Sequence, residues 1–98
     1  MTSDERLDIV DNVERSRYEI ATEAGTAFLA YRRSERAIAL VHTEVPEALR
    51  GRNLANLLAR YALDGARRDG LRVVVRCPFV STFIRRHPEY GDLPGAEG

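Results

Sequence analysis

The hydrophobic pattern of this 98-residue chain changes period once, at Pro46, and that change limits the folds open to it. Before Pro46 the apolar residues alternate. Arg17-Tyr18-Glu19-Ile20-Ala21-Thr22 puts Tyr18 and Ile20 on one face, as a half-buried strand does. Glu23-Ala24-Gly25-Thr26 reads as a turn, with Gly25 free to take positive φ. Ala27 to Arg32 reads as a strand with Ala27, Leu29 and Tyr31 opposite Phe28, Ala30 and Arg32. A polar turn, Arg33–Arg36, leads to a more continuously apolar strand, Ala37 to Val45, which suggests a place inside the sheet. Ile38, Leu40, His42 and Glu44 share parity on it and are expected on one face. Leu7 to Asn12 reads as a short first strand, residues 12–17 as a turn, and residues 1–6 as disordered.

After Pro46 the period becomes helical. Leu54, Leu57, Leu58, Tyr61 and Ala62 recur at i, i+3, i+4, i+7 and i+8, with Asn53 as a candidate N-cap, Arg67 and Arg68 in the last turn and Gly70 as a C′ residue. Leu71 to Arg76 reads as a fifth strand. Pro78 opens a second helix with Phe79, Val80, Phe83 and Ile84 as its apolar stripe, ended by His87-Pro88. The predicted order is β-β-β-β-α-β-α. It implies an α+β fold with a mixed, mostly antiparallel five-stranded sheet, layered with helices in a three-layer-like arrangement. The strand–helix–strand unit should be a right-handed crossover, with strand five parallel to strand four. One domain is expected over residues 7–94, followed by a loose tail from Pro94 through residues 95–98.

Composition removes several chemistries. All 15 basic residues are Arg, balanced by 15 acidic ones. Without Lys there is no Schiff-base or pyridoxal chemistry and no Walker-type phosphate loop. With one Cys, Cys77, there is no disulfide framework and no Cys-rich zinc site. A zinc site from His42, Cys77 and His87 has no supporting spacing, so no metal is expected. Zero net charge argues against nucleic acid as a partner. No apolar run approaches the roughly 18 residues of a membrane helix. The polar, acidic N-terminus and the unpaired Cys77 fit a cytoplasmic protein. Exposed sheet edges would allow a monomer or a weak homodimer.

Between strand four and the first long helix stands Arg50-Gly51-Arg52-Asn53-Leu54-Ala55. Backbone N–H groups at a helix start lack intrahelical acceptors, and the dipole end there is positive. Such a place takes phosphate. Gly51 and the small Ala55 allow close approach, and Arg50 and Arg52 can add charge-assisted bonds. On local chemistry alone, a capped helix with solvated arginines is the simpler reading.

Position in the topology gives the loop more weight. The loop, together with His42-Thr43-Glu44-Val45-Pro46, Cys77-Pro78-Phe79-Val80 and His87-Pro88-Glu89-Tyr90 in this order, resembles the GNAT N-acetyltransferases, specifically the very short Yjdj-type subfamily. The resemblance spans roughly residues 9–94. It implies a GNAT-like acyl-CoA fold and the transfer of an acetyl group from acetyl-CoA to an amine. The splayed fourth and fifth strands would hold the pantetheine arm and the loop the pyrophosphate. The residues implied to bind are Val45, Arg50, Gly51, Arg52, Asn53, Leu54, Ala55, Cys77, Pro78, Phe79 and Phe83, although core packing is the default role of Phe79 and Phe83. Asn53 stands where the family has Gly. Either the loop needs positive φ there, or Asn53 caps the helix.

Acetyl transfer to an amine needs a base, oxyanion donors and an acid for the leaving thiolate. His42 is a candidate base because its free pKa lies near working pH, set against a structural role in its strand. Glu44 is a candidate through a water, set against an exposed charge or an ion pair. Cys77, at a helix start, is a small core residue, an acid or nucleophile facing the thioester, or a redox partner of CoA. Many GNAT enzymes use a Tyr on the last helix as the acid. Here Tyr90 follows that helix and is expected to pack its ring on the sheet. The acceptor amine, on a small molecule or a protein, is unidentified; the short link between the first two strands leaves its side open, which suits a protein or peptide amine, or a partner that completes the site. A non-catalytic acyl-CoA-binding or protein-interaction module is the alternative.

Overall fold

A computed structural model describes residues 8–96. Five strands form one sheet in chain order: β1 (Val10–Asn12), β2 (Arg17–Thr22), β3 (Gly25–Arg33), β4 (Ala37–Glu44) and β5 (Arg72–Val75). The first four pair antiparallel, and β5 runs parallel to β4. Helix α1 (Leu54–Asp69) makes the crossover, and α2 (Pro78–Arg86) follows β5. The mixed sheet and the order β-β-β-β-α-β-α are therefore as the sequence implies. Among the described residues no helix is long and apolar enough to cross a membrane.

Alternation sets the inner face. Tyr18, Ile20, Ala27, Leu29, Tyr31, Ile38, Leu40 and Val73 are all buried there. The outward residues Arg17, Glu19, Phe28 and Ala30 stay half-exposed. Both helices cover the inner face. From α1 come Leu54, Leu58, Ala62, Leu63 and Ala66, and from α2 come Val80, Phe83 and Ile84. Burying each large aliphatic side chain contributes about 1.5–3 kcal/mol. The expected three-layer-like arrangement is thus corrected to two layers. Among the described residues there are two α-helices, and both have their apolar stripes turned to one core, so neither covers the second face of the sheet. The stripe of α1 is also rotated from expectation: Leu57 is half-buried, and Tyr61 is 40% exposed at its margin.

Three further expectations change. Strand β1 starts at Val10, so Asp8 and Ile9 lie outside it. Leu7 and the expected disorder of residues 1–6 lie outside the described residues. The segment expected to be a loose tail is seated on β5 as far as Ala96. The Val73 N–H donates to the Pro94 carbonyl at 2.7 Å, and Ala96 is buried. Gly95, at φ +88°, passes so close that an added Cβ would lie 2.0 Å from the Val73 carbonyl oxygen.

The third change concerns β4. Ala30 pairs with His42 while the next residue, Tyr31, pairs with Leu40. Val41 is therefore an extra residue, a β-bulge. A one-residue insertion exchanges the faces of everything beyond it. His42 and Glu44 pair with the outward residues Ala30 and Phe28, so they do not share a face with Ile38 and Leu40. Thr43, paired with the buried Leu29, takes the inward place instead.

Candidate functional site

The bulge sits where β4 and β5 part. Their ladder ends at the pair Leu40 and Val75, with a last bond from the Arg76 N–H to the Leu40 carbonyl at 2.9 Å. Beyond it β4 runs on to Glu44 beside β3 alone, while the other chain turns into α2 at Pro78. Thr43 Oγ1 and Cys77 Sγ meet across the opening at 3.3 Å.

A cleft of about 270 Å³ lies at this opening. The end of β4 contributes Val45, and the turn Glu47–Leu49 contributes Leu49. The loop gives Arg50, Gly51 and Asn53; the first turn of α1 gives Leu54, Ala55 and Asn56; α2 gives Phe79. Seven of the residues singled out from the sequence thus come together: Val45, Arg50, Gly51, Asn53, Leu54, Ala55 and Phe79. Arg52 is exposed on the same loop, and Cys77 and Pro78 directly precede Phe79. Phe83 is not part of the cleft. Its ring is buried in the core and stacks on His87 at 4.0 Å between centroids.

Leu49 and Asn56 line the cleft without having been singled out. Leu49 directly precedes the Arg50–Ala55 loop and is fully buried. Asn56 could have been found from its i+3 spacing to Asn53, which brings a third-position side chain back to the helix start.

The loop conformation decides between the two readings of Asn53. It lies in the left-handed region, φ +66°, and does not cap the helix: its Oδ1 accepts from the Asn56 side-chain amide. Asn tolerates this region better than most residues, which explains how it fills a position suited to Gly. Gly51, at φ +90°, has open space where a Cβ would stand. The N–H groups of Leu54, Ala55 and Asn56 therefore keep no intrahelical acceptor and no side-chain cap. No acidic residue occupies the first turn of α1, nor that of α2, whose start at Cys77 is likewise uncapped. Both helix starts border this cleft, α1 through Leu54, Ala55 and Asn56 and α2 through Phe79, and neither first turn carries a carboxylate to offset its positive dipole end. Arg50 Nε lies 3.4 Å from the Val45 carbonyl and ties the loop weakly to the strand end.

The candidate chemical groups separate. His42 Nε2 and Glu44 Oε1 are 3.2 Å apart on the open face, both well exposed. The Phe28 ring stands edge-on to His42 with centroids 6.1 Å apart. Cys77 is 3% exposed on the inner side. The His87 ring sits elsewhere, with Nδ1 2.8 Å from the Phe83 carbonyl. Among the described residues no three potential metal ligands converge. Tyr90 is buried in the core, and its hydroxyl reaches α1, donating to Asp64 at 2.7 Å and accepting from Arg60 at 3.1 Å. Burial, then the bond to Asp64, raises its pKa above the ordinary phenol range.

Comparison with known proteins agrees with this geometry. A family model for GCN5-related N-acetyl-transferases matches residues 17–93. The protein NATD1 of Bos taurus is 43% identical over 54 residues, 55% of this chain and 48% of its own length. NATD1 of Danio rerio is 38% identical over 58 residues, 57% of this chain and 53% of its own. The matched stretch thus spans about half the length of these curated relatives. A GCN5-like protein from Staphylococcus aureus, solved by NMR, superposes with a TM-score of 0.71 at 22% identity, covering 92% of this chain and 89% of that one. That likeness is one of fold. With its family match covering most of the chain, the protein belongs to the GCN5-related N-acetyltransferase family.

Proposed function

We propose that this chain is an acetyl-CoA-dependent N-acetyltransferase that moves an acetyl group to an amine by direct attack. The observation that carries the reading is the cleft at the parting of β4 and β5, bounded by a helix start that keeps its N–H donors uncapped. Acetyl-CoA supplies a thioester: the amine nitrogen bonds to its carbonyl carbon, the CoA thiolate leaves, and the amine sheds a proton. The N–H groups of Leu54, Ala55 and Asn56, with Arg50 and Arg52, hold the pyrophosphate. With no Lys in the chain, guanidinium and backbone N–H must meet all of its negative charge. Val45, Pro78 and Phe79 flank the pantetheine arm, and Phe83 supports α2 from the core.

His42 takes the amine proton, and Glu44 holds the imidazole through their 3.2 Å contact. Cys77 is the acid candidate for the leaving thiolate, with Thr43 Oγ1 as its neighbour. Isothermal calorimetry with acetyl-CoA tests the reading. Micromolar to submillimolar binding supports it, and no binding at millimolar ligand overturns it. Asn53→Gly should bind at least as tightly as wild type, because the left-handed φ is then free of cost.

A non-catalytic acyl-CoA-binding module is the second reading. It is favoured by one observation: the Tyr90 hydroxyl, the phenol nearest α2 in sequence, is committed to Asp64 and Arg60. Release of CoA in the presence of an amine panel separates it from the transferase. A protein-interaction module that keeps the fold alone would fail the calorimetry as well.

A further inference from the structure

We propose that the acceptor amine is a small molecule bearing a carboxylate, held by Arg15 and Arg32 on the uncovered face of the sheet. This rests on the transferase reading above. A second concavity, of about 340 Å³, lies on that face and is lined by Arg15, Ser16, Ala30, Tyr31, Arg32 and Val41. It is of the size that takes small ligands rather than chains.

Three observations converge there. First, the pocket includes Val41, the bulge residue at which the β4–β5 opening begins. It therefore adjoins the end of the opening where the acyl group has to arrive. Second, His42 stands directly across from Ala30, another lining residue. Paired residues in neighbouring strands are about 5 Å apart at their Cα atoms, so a proton acceptor borders the pocket. Third, both arginines are exposed, and among the described residues neither guanidinium lies within ion-pair distance of a carboxylate. Among the described residues, Arg17, Arg33, Arg60, Arg67 and Arg68 each form an ion pair with a carboxylate. Arg15 and Arg32 form none with the described residues, and among these neither guanidinium donates a hydrogen bond; the Arg15 bond to Asn12 Oδ1 comes from its backbone N–H.

A single solvated arginine carries no such meaning. Two flanking one pocket can share one carboxylate, whose two oxygens accept from both guanidinium groups. Ser16 also lines the pocket. It is held in the left-handed region, φ +54°, with its carbonyl accepting from the Tyr31 N–H at 2.9 Å, so the turn that carries Arg15 is fixed on β3. An amine a few bonds from the carboxylate then reaches toward His42. Short ω-amino or α-amino carboxylates have that span.

The test uses the full chain and two probes matched in length, 4-aminobutyrate and propylamine. Backbone amide NMR titrations should show saturable shifts at Ser16, Ala30 and Val41 with 4-aminobutyrate and not with propylamine. Arg15→Gln and Arg32→Gln should each weaken that binding about tenfold, the usual loss for one charge-assisted pair. In the CoA-release assay the KM for amino carboxylates should lie about tenfold or more below that for the matched alkylamines, and Arg32→Glu should abolish the preference. Equal shifts with both probes, or unchanged affinity in both Gln variants, would overturn the proposal. So would binding of acidic peptides without binding of small carboxylates. Acetyl-CoA calorimetry on the same protein distinguishes the two levels: failure there removes the transfer reading, whereas failure of the titration removes the carboxylate site alone.

Discussion

At its C-terminal end, α1 is closed by a Schellman pair, with Leu71 N–H to the Ala66 carbonyl at 2.9 Å and Gly70 N–H to the Arg67 carbonyl at 3.2 Å. Arg67 reaches on to Asp92 and the Glu89 carbonyl, and Asp64 receives Tyr90. At its N-terminal end the same helix has no side-chain cap, no acidic residue and a non-glycine at φ +66°. The contrast is informative because both ends face the same physical need. One satisfies its orphan groups internally and gains stability. The other leaves its donors for something else, and a helix without a cap forgoes about 1 kcal/mol. Stability is thus concentrated at one end of the element, and the other is the end at which binding is proposed.

Four substitutions can break or sharpen that division. The largest effect is expected at the closed end. Gly95→Ala places a Cβ against the Val73 carbonyl at positive φ and should cost about 3 kcal/mol in chemical denaturation. Acetyl-CoA affinity of the folded fraction should be unchanged, and a parallel loss of affinity would undo the division. Next comes Ala55→Asp at the open end. A carboxylate in the first turn should stabilise the helix by about 0.5 kcal/mol while lowering acetyl-CoA affinity about tenfold or more. A variant both more stable and equally tight-binding would show that the first turn is not the anion site.

Tyr90→Phe should cost about 1 kcal/mol, read as a lowered Tm, with no change in transfer rate. A loss of rate would return the phenol to the chemistry. The smallest effect belongs to Asp92. The bond from Arg67 lowers its carboxyl pKa below the usual carboxylate range. The folded state therefore binds fewer protons than the unfolded one, and stability rises with pH through the acidic range. The contribution is complete above the unfolded carboxylate pKa and fades as pH falls through the lower folded value. Asp92→Asn should flatten that part of the acid denaturation profile by slightly lowering the Tm at neutral pH and leaving it unchanged at the acidic end, where the carboxyl is already protonated.

Much of this was legible in the sequence, for reasons that differ by element. The bounds of β2 and α2 agree closely with their patterns because period and punctuation coincide: a clean alternation in one, a Pro start and a His-Pro stop in the other. Gly70 was readable as a helix end because only a small set of residues suits the left-handed C′ position. The loop from Arg50 to Ala55 stood out as a candidate anion site because it combines Gly, Arg and a helix start. Its conformation was not. Asn53 serves equally well as an N-cap or as a left-handed residue, and composition cannot choose between them. The faces of His42 and Glu44 were misread because the bulge at Val41 has no residue signature; one valine in an apolar run looks like its neighbours. The bare second face was hidden for a similar reason. A half-exposed row of Ala30, Ala39 and Val74 reads like the floor of a covered layer. The pairing of Arg15 with Arg32 across a turn and a strand depends on register, which parity alone does not fix.

The extra residue in β4 also bears on how the chain finds its fold. In a regular hairpin, strands can pair transiently one or two residues out of step, and each slipped pairing retains some ladder bonds. Here the count of residues on β3 and β4 differs by one between their common ends, so only one alignment satisfies both halves of the strand. A slip that restores even pairing beyond Val41 turns Ile38 and Leu40 to water, at about 1.5–3 kcal/mol each. The bulge therefore specifies a single alignment of β3 and β4, and the strand that opens the cleft also fixes the register of the meander.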